Sequence, residues 1–456
     1  MRLLIKNGTV VSDGVKRRAD VLTENGKIAL VASTVEAQAD RVIDAAGCYL
    51  MPGFIDTHTH LDLPLGAIST ADDFDTGTRA AVLGGTTTVL DFATQDRGMT
   101  MRQALDTWHR KAAVSHCNYG FHMAISEWNA DRAAEIPYMV NRGVTSFKMY
   151  MVYDAMRLND GQIMDALRRM AKAGCLAGVH CENYDVLQQN IRDLKAAGRF
   201  DAAAHALSRP AEVEAEAVGR LMRLAQMANT PVWVVHLSTA EGLDEIRRAR
   251  ARGQSVIAET CPQYIVLDDS CYLESDAAKY VMSPPLRKVS DREAILSAMG
   301  SSDIDVIGTD HCSFTMRQKA AGNSDFTAIP NGGAGIRNRA ELVYTYAVLP
   351  GRMSVEQMAD ELSSNAAKIF GMYPEKGTIR PGSDADIAIF DPNRARTISY
   401  TNNAHNCDNS PYEGIPVAGS VRDVILDGEH VVQGGKLLLP GRGRYVPRKL
   451  CFEPVQ

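Results

Sequence analysis

The 456-residue chain has no apolar run long enough to span a membrane, no dense Lys/Arg block and no Cys-x-x-C pair. The first absence speaks against a membrane-spanning helix. The second, with a formal net charge of −6, speaks against a nucleic-acid footprint. The third leaves nine scattered cysteines, from Cys48 to Cys451, which read as buried free thiols in a reducing compartment. The apolar stretch Leu3-Leu4-Ile5 is too short for a signal peptide. A soluble cytoplasmic protein without nucleic-acid or membrane partners is the expectation. The length allows a large core and two domains.

What is present is a β-rich texture at both ends and a different middle. Turn signals Asn7-Gly8, Asp13-Gly14 and Asn25-Gly26 separate short strands, and the pattern returns at Asp386–Asp391 and Val424–Asp427. One small β-sandwich built from residues 1–51 and 375–456 is expected. Residues 52–374 alternate apolar strands with amphipathic helices such as Met101–Val114, Asp160–Ala173, Ala211–Ala228 and Ala240–Ala251. The strands are predicted at Leu50–Thr57, Thr86–Phe92, Tyr119–Ile125, Ser146–Met151, Leu176–His180, Val232–His236, Ser255–Glu259 and Asp305–Thr309. Eight such units predict an α/β chain with a (β/α)8 TIM barrel.

Metal-type residues stand where these strands end. His58 and His60 close the first, and two residues apart on a strand they point the same way. Lys148 lies on the fourth strand, His180 ends the fifth, His236 the sixth and Asp310 the eighth. Barrel active sites are assembled at this rim, and a chance origin for the whole set is remote. His122 reads as a structural histidine, and His109, His116, His205, His405 and His430 fit no strand-end position. His311 points elsewhere on strand parity. Burial and cationic neighbours depress a lysine's pKa and expose a neutral amine. Such an amine adds carbon dioxide to form a carbamate, an anion able to bridge two metals.

Several segments carry a family likeness: Pro52-Gly53-Phe54-Ile55-Asp56-Thr57-His58-Thr59-His60, Ser146-Phe147-Lys148-Met149-Tyr150-Met151-Val152-Tyr153, Val179-His180-Cys181-Glu182-Asn183, Val235-His236-Leu237-Ser238, Ser283-Pro284-Pro285-Leu286-Arg287 and Thr309-Asp310-His311-Cys312. In this order they resemble the cyclic amidohydrolases of the dihydropyrimidinase and hydantoinase branch. The resemblance implies two Zn²⁺ bridged by N6-carboxylated Lys148 and a hydroxide. His58, His60 and Asp310 hold the inner ion, and His180 and His236 the other. It further implies Tyr153 as oxyanion donor, with Ser283 and Asn331 meeting the ring's amide groups largely through their backbones. A homotetramer is implied too; the sequence itself offers only the basic and apolar tail Arg444–Leu450, either a segment that docks on a neighbour or a disordered end.

Two Zn²⁺ opposed by a carbamate, Asp310 and a hydroxide leave the site one positive charge in excess, matched to one oxyanion. Metals about 3.5–4 Å apart would also ionise a bridging water near neutral pH. Asp310 then serves as general base and acid. The expected substrate is a small cyclic amide or imide, a hydantoin or 5,6-dihydropyrimidine opened to an N-carbamoyl amino acid. Leu63, Leu65, Met151, Met156 and Leu158, in loops 61–69 and 151–158, would line an apolar pocket for a ring substituent. The rival is an allantoinase, whose polar substrate suits those side chains less. Arg157 and Arg287 are cations that a dihydroorotase would need for its substrate's carboxylate.

Overall fold

A computed structural model describes residues 1–322, 324–441 and 443–453. Its centre is an eight-stranded parallel sheet in sequential order: Phe54–Thr59, Thr86–Gln95, Asn118–Ile125, Ser146–Tyr150, Leu176–His180, Val232–Val234, Val256–Thr260 and Val306–Ile307. Every residue of these strands is buried. The two faces divide by parity. Ile55, Leu90, Phe92, Tyr150, Leu176 and Trp233 fill the interior. Val89, Phe121, Met123, Phe147, Met149 and Val179 meet the surrounding helices.

The first and last strands meet at a seam beside the rim. Thr59 pairs with His311, and the His60 N–H donates to the His311 carbonyl at 2.9 Å. Asp56 staples the same seam by accepting from the Thr309 N–H at 3.1 Å and the Thr309 hydroxyl at 2.7 Å.

The outer helices begin where side chains can satisfy the free N–H groups of the first turn. Thr100 with Gln103 and Asn159 with Gln162 form reciprocal capping boxes at Met101–Ala112 and Asp160–Lys172. Helices Ala211–Ala228 and Ala240–Ala251 lie as expected.

Both chain ends build the two other large sheets. One has four strands from residues 2–44. The other has seven, joining Thr9–Ser12, Val15–Arg18 and Tyr49–Pro52 to Ile387–Asp391, Ser420–Leu426, Glu429–Gln433 and Lys436–Leu437. Leu3, Ile5, Val10, Leu50, Ile387 and Ile425 share their core.

Two expectations need correction. The single strand expected at Leu50–Thr57 is two strands in two different sheets, Tyr49–Pro52 and Phe54–Thr59. The break is Gly53, where any Cβ would collide with the Thr87 side chain, so the chain crosses between sheets at its closest approach. The tail Arg444–Leu450 is not a disordered end but packs along its own barrel. Tyr445 pairs with Tyr119, and the Val446 N–H donates to the Tyr119 carbonyl at 2.8 Å. The buried Arg448 guanidinium donates to Ser146 Oγ at 2.7 Å inside the barrel. Among the described residues, no helix is long and apolar enough to cross a membrane.

Candidate active site

Six of the expected residues converge at the carboxyl rim. His58 Nε2 and His60 Nε2 approach the same oxygen, Asp310 Oδ1, at 3.1 and 3.2 Å. One ligand atom from each of the three lies within 4.8 Å of the others. Lys148 Nζ is 2.8 Å from His58 Nε2, and His180 Nδ1 is 3.0 Å from His236 Nε2. The two halves touch, since the His58 and His236 rings are 5.3 Å apart.

The partners of these rings determine which nitrogen is free. His58 Nδ1 faces Glu259 Oε1 at 2.6 Å, and His180 Nε2 faces Glu182 Oε2 at 2.7 Å. A carboxylate only accepts, so those nitrogens carry hydrogen. The lone pairs are therefore His58 Nε2 and His180 Nδ1, both turned into the site. Carboxylate-oriented histidines of this kind are a recurring support of metal ligands.

His58 Nε2, His60 Nε2 and Asp310 Oδ1 thus crowd one point, which a shared proton or a bound cation reconciles. The electrostatics agree. Burial and Lys148 depress the His58 pKa, yet Glu259 and Asp310 outweigh them and raise it, so positive charge is favoured there. Burial pulls His60 down to about 4 and His236 well below its ordinary value, keeping those rings neutral. Burial opposes ionisation of Asp310, but His58, His60 and His236 hold it well below the usual carboxylate range. Burial draws the Lys148 ammonium down to about 8. The donor set of imidazoles, a carboxylate and a depressed lysine thus fits divalent metals.

Three of the positions carry left-handed backbone: Tyr153 at φ 72°, His236 at 40° and Asp310 at 51°. Each such non-glycine residue costs of order 1–3 kcal/mol and persists where the surroundings enforce it. For His236, the backbone N–H donates to Glu259 Oε1 at 3.2 Å, so one carboxylate orients two of the histidines.

Tyr153 follows Lys148 on the adjoining loop, its ring 5.2 Å from that of His180. Burial raises its phenol above the ordinary value, so it remains a donor. Ser283 is buried and Asn331 half-buried, on loops after the seventh and eighth strands. Leu63 and Met156 are half-buried and Leu65 is 42% exposed. Met151, expected in the substituent pocket, is buried with Leu158 in the helix-facing core. An odd offset from inward Lys148 turns Met151 to the outer face. Arg287 is committed to Glu214 at 3.0 Å and is not free to receive a substrate carboxylate. His122 is structural, between Ser146 Oγ at 2.5 Å and the Thr57 carbonyl at 3.1 Å. His311 turns away from the cluster to Asp72 at 3.1 Å.

Sequence reasoning missed Glu259, Glu182 and Arg209, which pairs with Glu182 at 2.6 Å. Glu259 ends an apolar strand just as the histidines do, and Glu182 follows His180 by two. An acid at those positions was the available signal.

A model described as the Amidohydrolase family matches residues 49–431. The chain belongs to the amidohydrolase family. This amidohydrolase is 42% identical to the D-hydantoinase of Geobacillus stearothermophilus, over 98% of this chain and 97% of that protein. It is 40% identical to the D-phenylhydantoinase of Escherichia coli strain SE11, over the whole of both chains. The crystal structure of dihydropyrimidinase from Brevibacillus agri NCHU1002 superposes with a TM-score of 0.97 at 42% identity, covering both chains fully.

Proposed function

We propose that this amidohydrolase opens the ring amide of 5-substituted hydantoins and 5,6-dihydropyrimidines to give N-carbamoyl amino acids. The observation that carries this is the convergence of His58, His60 and Asp310 beside Lys148, His180 and His236. It occurs in a chain about two-fifths identical, end to end, to a D-hydantoinase and a D-phenylhydantoinase.

His58, His60 and Asp310 would hold one divalent ion and His180 and His236 the other, with carboxylated Lys148 completing the donor set. Zinc is the proposed metal. When bound, such ions polarise a carbonyl and make water acidic. The chain's own residues do the rest. Asp310 takes a proton from the attacking water and returns it to the ring nitrogen as the C–N bond breaks and the new C–O bond forms. Tyr153 donates to the oxyanion. Ser283 and Asn331 hold the ring's amide groups. Leu63, Leu65 and Met156 receive the 5-substituent, an apolar surface that favours hydantoins over allantoin. The names of the two sequence relatives support preference for the D-enantiomer.

The nine cysteines are all unpaired, and eight are buried, which supports a reducing cytoplasmic setting. Exposed Val186, Phe200 and Leu207 support subunit contacts in a homotetramer, which sedimentation would measure.

The deciding experiment is a substrate panel on zinc-loaded protein, with both enantiomers of phenylhydantoin, dihydrouracil and allantoin. Turnover should be fastest on D-phenylhydantoin. Faster turnover of allantoin would reverse the assignment. Intact mass at neutral pH should show one added carboxyl group, lost in Lys148→Ala.

A further inference from the structure

Two segments outside the metal cluster carry the backbone stations proposed for the ring, 281–284 with Ser283 and 330–332 with Asn331. Most of their carbonyls are already taken. The Val281 carbonyl accepts from the Gly332 N–H at 3.0 Å and from Lys319 Nζ at 2.7 Å. The Met282 carbonyl accepts from His205 at 2.8 Å and the Pro284 carbonyl from the Tyr264 hydroxyl at 2.8 Å. The carbonyls of Pro330 and Gly332 each accept from Lys319 Nζ at 2.7 Å. Among the described residues, no protein donor reaches the carbonyl of Ser283 or Asn331. Unpaired carbonyls within otherwise saturated segments are rare. These two are left for a donor from outside the chain.

Lys319 ties the segments together. It sits on the short helix Met316–Ala320, is 1% exposed and pairs with no carboxylate among the described residues. A buried ammonium without a counter-ion is costly unless each N–H is bonded. Here three N–H groups meet three carbonyls, two of them flanking Asn331 and the third two residues before Ser283. One nitrogen therefore triangulates the loop that follows Asp310 against the loop that follows the seventh strand.

We propose that Lys319 is a positioning residue for the substrate: it sets the spacing of the Ser283 and Asn331 carbonyls so that both grip N–H groups of the ring. This rests on the ring-opening reading above.

The test compares metal-loaded wild type with Lys319→Met, which keeps the length and apolar stem but has no donor. On hydantoin, KM should rise about tenfold or more, since misplacement by about 1 Å costs rate or affinity on that scale. Metal content should be unchanged and kcat should change far less than KM. A second readout uses 3-methylhydantoin, which lacks one ring N–H. Wild type should strongly disfavour it, and Lys319→Met should discriminate much less. A purely structural lysine would not move that ratio. Unchanged KM and unchanged discrimination in Lys319→Met overturn the proposal. So does a wild type indifferent to the methyl group, a result that stands even if the variant fails to fold. A wild type that opens no cyclic amide at all would instead defeat the functional reading.

Discussion

Two groups of potential ligands, one on the barrel rim and one in the terminal sheets, look alike by proximity and differ in what neutralises them. His58, His60 and Asp310 form the first, Asp384, Asp386 and Asp427 the second, each with its ligand atoms within 4.8 Å. The acidic group is already filled by the protein's own cations. Lys376 Nζ lies 2.5 Å from Asp386 and 3.0 Å from Asp384. Lys27 pairs with Asp384 at 2.7 Å and Arg444 with Asp427 at 2.8 Å. At the rim the nearest cation is Lys148, which burial draws down to about 8. There one lysine, 2.8 Å from His58 Nε2, stands among four histidines and a carboxylate, whereas the acidic group has Lys376, Lys27 and Arg444 paired directly to its oxygens. Proximity of ligands does not make a metal site. What matters is whether the fold supplies its own counter-charge.

The sharpest way to break this contrast is Asp310→Asn. Turnover should fall by about 10³-fold or more, because the proposed function makes this residue both ligand and proton carrier. Thermal stability should stay near that of the metal-free wild type. Steady-state kinetics and metal analysis measure both.

Lys376→Met should do the reverse. Removing one partner from a buried ion pair typically costs about 3–5 kcal/mol. Urea denaturation should show that loss, while the folded fraction keeps its metal content and kcat. A drop in bound metal would mean the two clusters are not independent.

A smaller effect is expected at Glu259→Gln. The amide can donate to His58 Nδ1 and so permit the wrong tautomer. Metal affinity should fall about 10–100-fold in a chelator competition, with the fold intact. An unchanged affinity would remove Glu259 from the site's support.

Glu361 supplies a third setting, a carboxyl that pairs with no cation among the described residues. It is buried, accepts from the Gly300 N–H at 2.9 Å, and has one oxygen without a partner. Burial raises its pKa to about 8. The folded state therefore holds this proton more tightly than the unfolded chain. The resulting stability is full below the ordinary glutamate pKa, near 4.5, and is lost as pH rises through 8. Glu361→Gln mimics the protonated form. It should match wild type at pH 5 and melt about 2 °C or more higher at pH 9. Equal melting curves at both pH values would show that the carboxyl is solvated.

The comparison also separates what was legible in the sequence. Strand parity and the strand-end rule found His58, His60, Lys148, His180, His236 and Asp310, because period-two alternation fixes which side chains share a face. The same parity, applied along the expected strand Ser146–Met151, turns Met151 outward with Phe147 and Met149, against its assignment to the pocket. Glu259 and Glu182 were visible as acids at the rim, but not their targets. Which histidine nitrogen each one meets depends on barrel curvature and neighbouring register.

By itself the sequence determined the alternation of buried strands and capped helices, and with it the barrel and the residues on its rim. These follow from local periodicity and from chemistry that each residue carries alone. Only the tertiary structure decided that Gly53 divides one apolar run between two sheets, since the collision that demands glycine comes from Thr87 on another strand. The tertiary structure also returned the tail to its own barrel, filled the acidic cluster with lysine and arginine, and left the carbonyls of Ser283 and Asn331 free. Each of these outcomes depends on a partner distant in sequence, and no local pattern records it.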